Sequence, residues 1–336
     1  MTNPTLNVLI IGCGNIAGGF DAVRAKDALP FTHAGAYRKH GGFSLAACID
    51  PDMQKRQAFH AHWQVGQAFA NFDAAQHKTN QYDVISICSP TAKHAKQIDA
   101  AITLKPKLIF CEKPVTTNVS DTLYCVQRCE EEGIQLAINH TRRWAPDVLR
   151  LKQELSTGHW GQIRSVVGHY NKGILNNGAH MLDLLRYLLG SLNLATVDKP
   201  VWDFWEDDPS IAAQLHSESG IPVYLNIAHA SDYALFELNI TTERGVISME
   251  NGGLNWRIRR TIQSQDFKDY RSLGQGEVLD GEYSMAMTNA ISNIYNAITN
   301  GEALASNGYS ALQAQRLCEQ IKVAALANNK KIRKVG

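Results

Sequence analysis

The rhythm of apolar and polar positions changes once along the chain. In the first third, short runs are apolar almost throughout: LNVLIIG (6–12), FSLAACID (43–50), YDVISICS (82–89), LIFCE (108–112) and QLAIN (135–139), with helical patterns between most of them. Strands buried on both faces read this way, so the pattern predicts a parallel sheet covered by helices on either side. From residue 160 onward the runs are longer and alternate, as in IAAQLHSES, VYLNIAHA, ALFELNITT, GVISME and LNWRIRRTIQ, and glycine-bearing turns join them. Alternation with period two predicts an antiparallel sheet with one covered face. Two helices are predicted to follow, roughly over 282–299 and 307–327, the second opening at Ser306 or Asn307 as its N-cap. There is no internal repeat and no low-complexity segment. The expected class is α/β, with one domain over 1–140 and an α+β domain over 141–336.

Composition narrows what such a chain does. Its 336 residues, 44% apolar and 19% charged, suffice for two cores. A formal charge of +1 argues against nucleic acid or an anionic membrane as the main partner. The opening MTNPTLNVLIIGCG has no basic leader, and its apolar run before glycine is too short for a signal peptide or a membrane span. A cytoplasmic protein is expected. Of the seven cysteines, Cys13, Cys48, Cys88 and Cys111 lie at or near the ends of strand-like runs, and Cys125 and Cys129 are one helical turn apart. None has metal-ligand spacing, so reduced, mostly buried thiols and no metal site are expected.

The first strand runs directly into GCGNIAGG. Gly12, Gly14 and Ala17 make the G-x-G-x-x-A form of a dinucleotide fingerprint. The first glycine permits the tight turn, the second lets a pyrophosphate approach the backbone, and the small third residue lets helix and strand pack closely. Asn15 and Ile16, between the second glycine and Ala17, belong to the same cofactor loop. The second strand ends in Asp50, placed to accept hydrogen bonds from an adenosine ribose diol. These features predict a Rossmann dinucleotide-binding domain. The interval from fingerprint to acid is about ten residues longer than the usual spacing of roughly twenty, so residues 18–31 read as an inserted loop near the cofactor. A carboxylate at 50 repels a 2′-phosphate, and Lys55 and Arg56 come only later, on the next helix; NAD is favoured over NADP.

Two further stretches carry chemistry. CEKPV (111–115) places a glutamate and a lysine at the C-terminal end of a central parallel strand, where open α/β sheets bind ligands. NNGAHMLDLL (176–185) reads as a helix in which Asn176, His180, Asp183 and Tyr187 follow at steps of four, three and four and so share one face. The plainer reading of that stripe is a helix-start cap at Asn176 or Asn177 followed by a buried, satisfied histidine. Trp144, Trp160, Trp202, Trp205 and Trp256 are either core residues or platforms for a sugar or base, and Arg257 or Arg259 of NWRIRR either reaches a diphosphate or lines a solvated edge.

Taken in order, the fingerprint, the acid after the second strand, SPTAKHAKQ, EKP, TRRWAP and GAHMLDLLRYLLG resemble the Gfo/Idh/MocA oxidoreductases, the family of glucose–fructose oxidoreductase and inositol dehydrogenase. The resemblance spans essentially the whole chain. It implies an NAD(P)-dependent enzyme that moves a hydride between nicotinamide and a secondary hydroxyl of a sugar, sugar nucleotide or cyclitol. Lys113 then matches the catalytic lysine, His180 the proton-transfer histidine and Asp183 a carboxylate that binds a substrate hydroxyl. Ser89, Pro90, Thr91 and His94 match the cofactor-lining loop, with Glu112 beside it. Arg142 and Arg143 match paired arginines near the domain junction, and Asn176 and Tyr187 extend the substrate stripe. The second domain is implied to be an open, mostly antiparallel sheet that makes homodimers or homotetramers. One departure stands out: the family usually has aspartate four residues before the histidine, and here the residue is Asn176. A glycosidase of the same fold, which uses NAD transiently, and a catalytically silent dinucleotide-binding regulator are the competing functions.

Overall fold

The computed structural model describes residues 4–25, 27–76 and 81–335, with Gln76 and the last six of these described by their backbone alone. The chain forms two compact units, one of Met1–Ala145 with Ser284–Leu312 and one of Pro146–Tyr283 with Gln313–Gly336. Where a single cut after residue 140 was expected, the chain thus returns to its first unit for a second segment.

The first unit is built on six parallel strands, β1 (Leu6–Ile11), β2 (Phe43–Ile49), β3 (Gln67–Phe69), β4 (Val84–Ile87), β5 (Leu108–Cys111) and β6 (Gln135–Ile138), in the order β3-β2-β1-β4-β5-β6. This is the doubly wound order, whose reversal between β1 and β4 opens a crevice at the strands' carboxyl ends. Val8, Leu9, Ile10, Val84, Ile85, Ile87 and Ile109 are fully buried, which is why these runs show no alternation. The strands are shorter than the apolar runs predict, because Ser89 and Glu112 already belong to the loops beyond the sheet. Three-residue β3 escapes a periodicity reading altogether, with only Phe69 of its side chains buried.

The insertion after the fingerprint begins later than expected. Residues 18–22 are helical, in a π turn (Asn15–Gly19) and one short turn (Phe20–Ala22), and the chain leaves the helix only after that. Asp21 closes the excursion: its carboxylate accepts from the backbone N–H of Phe31 and Thr32 (2.9–3.1 Å) and from the Thr32 hydroxyl at 2.6 Å. Thr32 then caps the helix His33–His40 through Gly35 N–H at 3.2 Å. The insertion therefore splits one helix in two.

The helix Ala286–Asn300 corresponds to the predicted 282–299 and packs in this first unit. Met287, Ala290, Ile291 and Ile294 share a core with Val8, Tyr37, Phe43, Phe110 and Trp144. The Trp144 indole donates to Asn293 Oδ1 at 2.9 Å. At the last helix, Gly308–Val335, Asn307 is the cap, accepting Ser310 N–H at 2.9 Å, while the Ser306 hydroxyl is buried and donates to the Ile138 carbonyl at 2.7 Å. All seven cysteines are buried and unbridged.

The second unit carries a nine-stranded sheet of β7 (Ile163–Tyr170), β8 (Leu192–Val197), β9 (Ala213–Ser217), β10 (Pro222–Ile227), β11 (Phe236–Thr242), β12 (Gly245–Glu250), β13 (Asn255–Gln263), β14 (Arg271–Leu273) and β15 (Glu277–Asp280). Its order is β14-β13-β12-β11-β7-β10-β9-β8, with β15 also on β13, and every pair is antiparallel except β7 with β10. On β7, Val166 and Tyr170 turn inward, while Gly168 leaves room for the helix Ala179–Leu189: a Cβ there would lie 2.8 Å from Met181 Sδ. No helix among the described residues is long and apolar enough to cross a membrane, and no described group of three His, Cys, Asp or Glu side chains is arranged to hold a metal.

Candidate active site

In the first unit the predicted cofactor residues gather at the carboxyl ends of β1, β2, β4 and β5. Gly12 takes φ +88°, and a Cβ on it would lie 2.8 Å from Ser89 N and 2.9 Å from the Cys88 carbonyl carbon. Only glycine fits that turn. A Cβ on Gly14, by contrast, would meet nothing within 4 Å, so its backbone faces open space of the kind a pyrophosphate needs. Asn15, Ile16 and Ala17 form the π turn behind it, and Ala17 is fully buried against the sheet.

Asp50 is fixed by that same turn. Its Oδ2 accepts Cys13 N–H at 2.8 Å and its Oδ1 accepts Asp52 N–H at 2.9 Å. Each oxygen keeps lone-pair capacity for a ribose hydroxyl. Arg56, on the next helix as predicted, reaches back to donate to the Asp50 carbonyl at 2.5 Å, so a guanidinium stands beside the acid.

Ser89, Pro90 and Thr91 leave β4, and fully buried His94 ties them to the next loop. Its Nε2 lies 2.8 Å from the Ser89 carbonyl, and its Nδ1 lies 3.0 Å and 3.2 Å from the Pro114 and Val115 carbonyls. His94 is thus a brace within the cofactor loop. The Ser89 hydroxyl donates to the Gln97 side chain.

Glu112 and Lys113 follow β5, and the Lys113–Pro114 peptide is cis. Sequence reasoning missed what holds Glu112. Its Oε1 lies 2.8 Å from His33 Nε2 and accepts from Asn139 Nδ2 at 2.7 Å. His33, fully buried, has its Nδ1 3.3 Å from the Ser86 hydroxyl, which is also 2.8 Å from the Tyr37 hydroxyl. Burial pushes the Glu112 carboxyl up, but the hydrogen bond and charge of His33, the Asn139 amide and the Lys113 ammonium outweigh it and hold the carboxyl below its ordinary range. A committed carboxylate therefore precedes Lys113, itself half-buried. Asn139 had a legible signal, as a polar residue at the carboxyl end of a central strand. His33 had none.

The paired arginines separate. Arg143 is buried, and its Nη1 donates to the Ala305 carbonyl at 3.1 Å, whereas Arg142 is half-buried in the turn Thr141–Trp144.

In the second unit, the stripe begins in a π turn (Gly173–Gly178) and continues along the helix Ala179–Leu189. Neither Asn176 nor Asn177 caps it. Asp208 does, accepting Leu175 N–H at 2.9 Å and Asn176 N–H at 2.9 Å. Lys172 N–H donates to Asp203 Oδ2 at 2.8 Å, Gly173 N–H to the Ser210 hydroxyl at 2.9 Å, and Ile174 N–H to the Pro209 carbonyl at 3.0 Å. Ser210 in turn donates to Asp203 Oδ1 at 2.8 Å. Gly173, at φ +90°, is obligatory, since a Cβ would lie 2.1 Å from Asp208 Oδ2. Every orphan N–H of this helix start is thus supplied by residues 203–210. Burial raises the Asp208 carboxyl above its ordinary range, and the two N–H bonds counter this only in part.

Along the stripe, the Asn176 amide donates to the Lys172 carbonyl at 3.2 Å, His180 is half-buried and Asp183 is 2% exposed. Lys152 Nζ sits 3.7 Å above the Tyr187 ring, which places a cation against the last member. Arg257 pairs with Glu250 at 2.8 Å and Arg259 donates to the Gly274 carbonyl at 3.1 Å, so NWRIRR serves its own sheet edge.

Comparisons with known proteins place these features in context. The family model described as "Oxidoreductase family, NAD-binding Rossmann fold" matches residues 6–140. The inositol 2-dehydrogenase of Rhizobium meliloti (strain 1021) is 22% identical over 259 residues, 70% of this chain and 76% of that protein. Among solved structures, an NAD binding oxidoreductase from Klebsiella pneumoniae superposes with a TM-score of 0.78 at 18% identity, over 96% of this chain and 97% of that one. The WlbA dehydrogenase from Bordetella pertussis, in complex with NADH and UDP-GlcNAcA, gives 0.75 at 18% identity over 96% of both chains.

Proposed function

We propose that this chain, whose residues 6–140 match the model of an NAD-binding oxidoreductase family, is a Gfo/Idh/MocA-type enzyme that oxidises or reduces one secondary carbon of a sugar, sugar nucleotide or cyclitol, with Lys113 and His180 as its working groups. The observation that carries this reading is Lys113 itself: a half-buried ammonium at the carboxyl end of β5, directly after a glutamate fixed by His33 and Asn139. The fit of a dinucleotide is supported by the open space at Gly14 and the free lone-pair capacity of Asp50. Nicotinamide, when bound, supplies the hydride acceptor. In the oxidising direction the hydroxyl loses its proton as its carbon gives up the hydride; His180 has the chemistry to take that proton, and the Lys113 ammonium the chemistry to polarise an oxygen that becomes a carbonyl. In reduction the same groups return the proton. Asn176, Asp183 and Tyr187 offer hydrogen-bonding groups to neighbouring hydroxyls, and Arg142 is a further candidate for contact with substrate.

A panel of sugars, cyclitols and sugar nucleotides, read by the absorbance of reduced nicotinamide, identifies a substrate. On that substrate Lys113→Ala should lower turnover by about a hundredfold or more while cofactor affinity stays nearly constant. Retention of most activity would overturn the assignment. NAD should bind at least about tenfold more tightly than NADP, a difference of about 1.4 kcal/mol. Asp50→Ala should narrow that preference, because Arg56 is then left beside the ribose to meet a 2′-phosphate; fluorescence titration of both cofactors decides it, and equal affinities in the parent protein refute the carboxylate argument.

A further inference from the structure

The five tryptophans of positions 144, 160, 202, 205 and 256 divide sharply. Trp144, Trp160 and Trp256 are at most 6% exposed, and each indole N–H has a partner: Asn293, Glu154 and Asp147. They are core residues. Trp202 and Trp205 are 47% and 46% exposed, and Phe204 between them is 56% exposed. The segment is inside out, for its buried side chain is Asp203, which holds Lys172 N–H and the Ser210 hydroxyl. A chain that turns three large aromatics to water and an acid inward gives up apolar burial that the opposite arrangement would gain.

Phe204 and Trp205 are joined to the stripe by contacts. Phe204 and Trp205 meet edge to face with centroids 4.8 Å apart, and Lys172 Nζ lies 5.2 Å over the Phe204 ring. The Lys172 carbonyl in turn accepts the Asn176 amide. An aromatic surface therefore continues into a row of hydrogen-bonding groups. A pyranose ring has the matching halves, a C–H face that packs on aromatic rings and a rim of hydroxyls that needs polar partners. Charge narrows the ligand further. Residues 203–208 include four carboxylates, Asp203, Glu206, Asp207 and Asp208, against the neighbouring ammonium groups of Lys172 and of Lys322, whose Nζ donates to the Asp207 carbonyl at 2.5 Å, and the negative balance disfavours a diphosphate.

We propose that Trp202, Phe204 and Trp205 form a ledge for the aglycone ring of an uncharged glycoside whose reacting sugar lies along Asn176, His180 and Asp183. The proposal rests on the dehydrogenase reading for the reacting sugar and selects glycosides over sugar nucleotides as its substrates. It is tested by calorimetry in the presence of NAD, with methyl and phenyl β-D-glucopyranoside, β-D-galactopyranoside and β-D-mannopyranoside and with UDP-glucose as ligands. For at least one sugar the phenyl glycoside should bind about tenfold or more tightly than the methyl glycoside, and UDP-glucose should show no such gain. Trp205→Ala should bring the phenyl-to-methyl ratio toward one, and Trp205→Phe should keep most of it. An unchanged ratio in the Trp202→Ala/Trp205→Ala double variant overturns the ledge, as does tighter binding of UDP-glucose than of any phenyl glycoside, or no measurable binding of any glycoside. A double variant that alters the sedimentation coefficient but not the ratio makes the patch a contact between copies, which also overturns it. Failure of the underlying reading looks different: phenyl glycosides bind with the expected ratio, yet no reduced nicotinamide forms.

Discussion

At the cofactor loop, the tight turn of Gly12 and the hydrogen bonds of Asp50 are set by the strands those residues directly follow, β1 and β2, whereas the backbone of residues 172–176 is held by side chains 31 to 37 residues further along. The first arrangement is made by backbone conformation and the close approach of neighbouring strands. The second is imposed by Asp203, Asp208 and Ser210 across a long connection. Geometry set at the ends of neighbouring strands leaves a spacing that can be read. Geometry supplied from a distance leaves only unremarkable polar residues.

Three substitutions probe that contrast. Gly12→Ala should have the largest effect, since it forces an L side chain to positive φ and drives a Cβ into the backbone of Cys88 and Ser89; a cost of about 3 kcal/mol in denaturant unfolding is expected, with loss of measurable NAD binding. Wild-type NAD affinity in this variant would show that the turn is not what forms the cofactor loop. Asp208→Ala strands the N–H groups of Leu175 and Asn176 and should cost about 2 kcal/mol. Its signature is a raised KM for substrate with NAD affinity intact, and an unaltered KM would mean that the stripe keeps its shape without its distant cap. The smallest effect is expected from Asn176→Asp. A carboxylate within about 4–6 Å of His180 favours the imidazolium, so the His180-dependent limb of kcat/KM should move to higher pH. Identical pH profiles for the parent, Asn176→Asp and His180→Ala would assign the proton to another group.

The same contrast explains what could be read in advance. The parallel sheet and the fingerprint were legible because fully buried strands are apolar throughout and Gly12, Gly14 and Asp50 sit at fixed points on them. The stripe was visible as a spacing, but its entry was not: a π turn capped by Asp208 replaces the expected asparagine cap. β7, at the centre of the second sheet, passed unnoticed because Arg164 and Gly168 interrupt the apolar series of its inner face, leaving only Val166 and Tyr170 as apolar residues there. Glu112 was found by position, yet its partner His33 lies beyond an insertion whose start was placed four residues or so too early. The tryptophans could not be sorted at all, since exposure of Trp202 and Trp205 depends on Asp203 being drawn inward by Lys172 and Ser210.

The helix Ala286–Asn300 has a consequence for how the molecule is made. Its Met287, Ala290, Ile291 and Ile294 complete the core around Val8, Phe110 and Trp144, so a nascent chain that has emerged through Ala145 still lacks one wall of its first unit. Synthesis of the intervening stretch, at roughly 5–20 residues per second, leaves that core open for about ten to thirty seconds on the ribosome. The apolar strands are exposed to chaperones throughout that interval. A fragment ending at 145 would inherit the same open wall permanently, and emergence of the helix Ala286–Asn300, not the completion of β6, is when the dinucleotide fold first becomes whole.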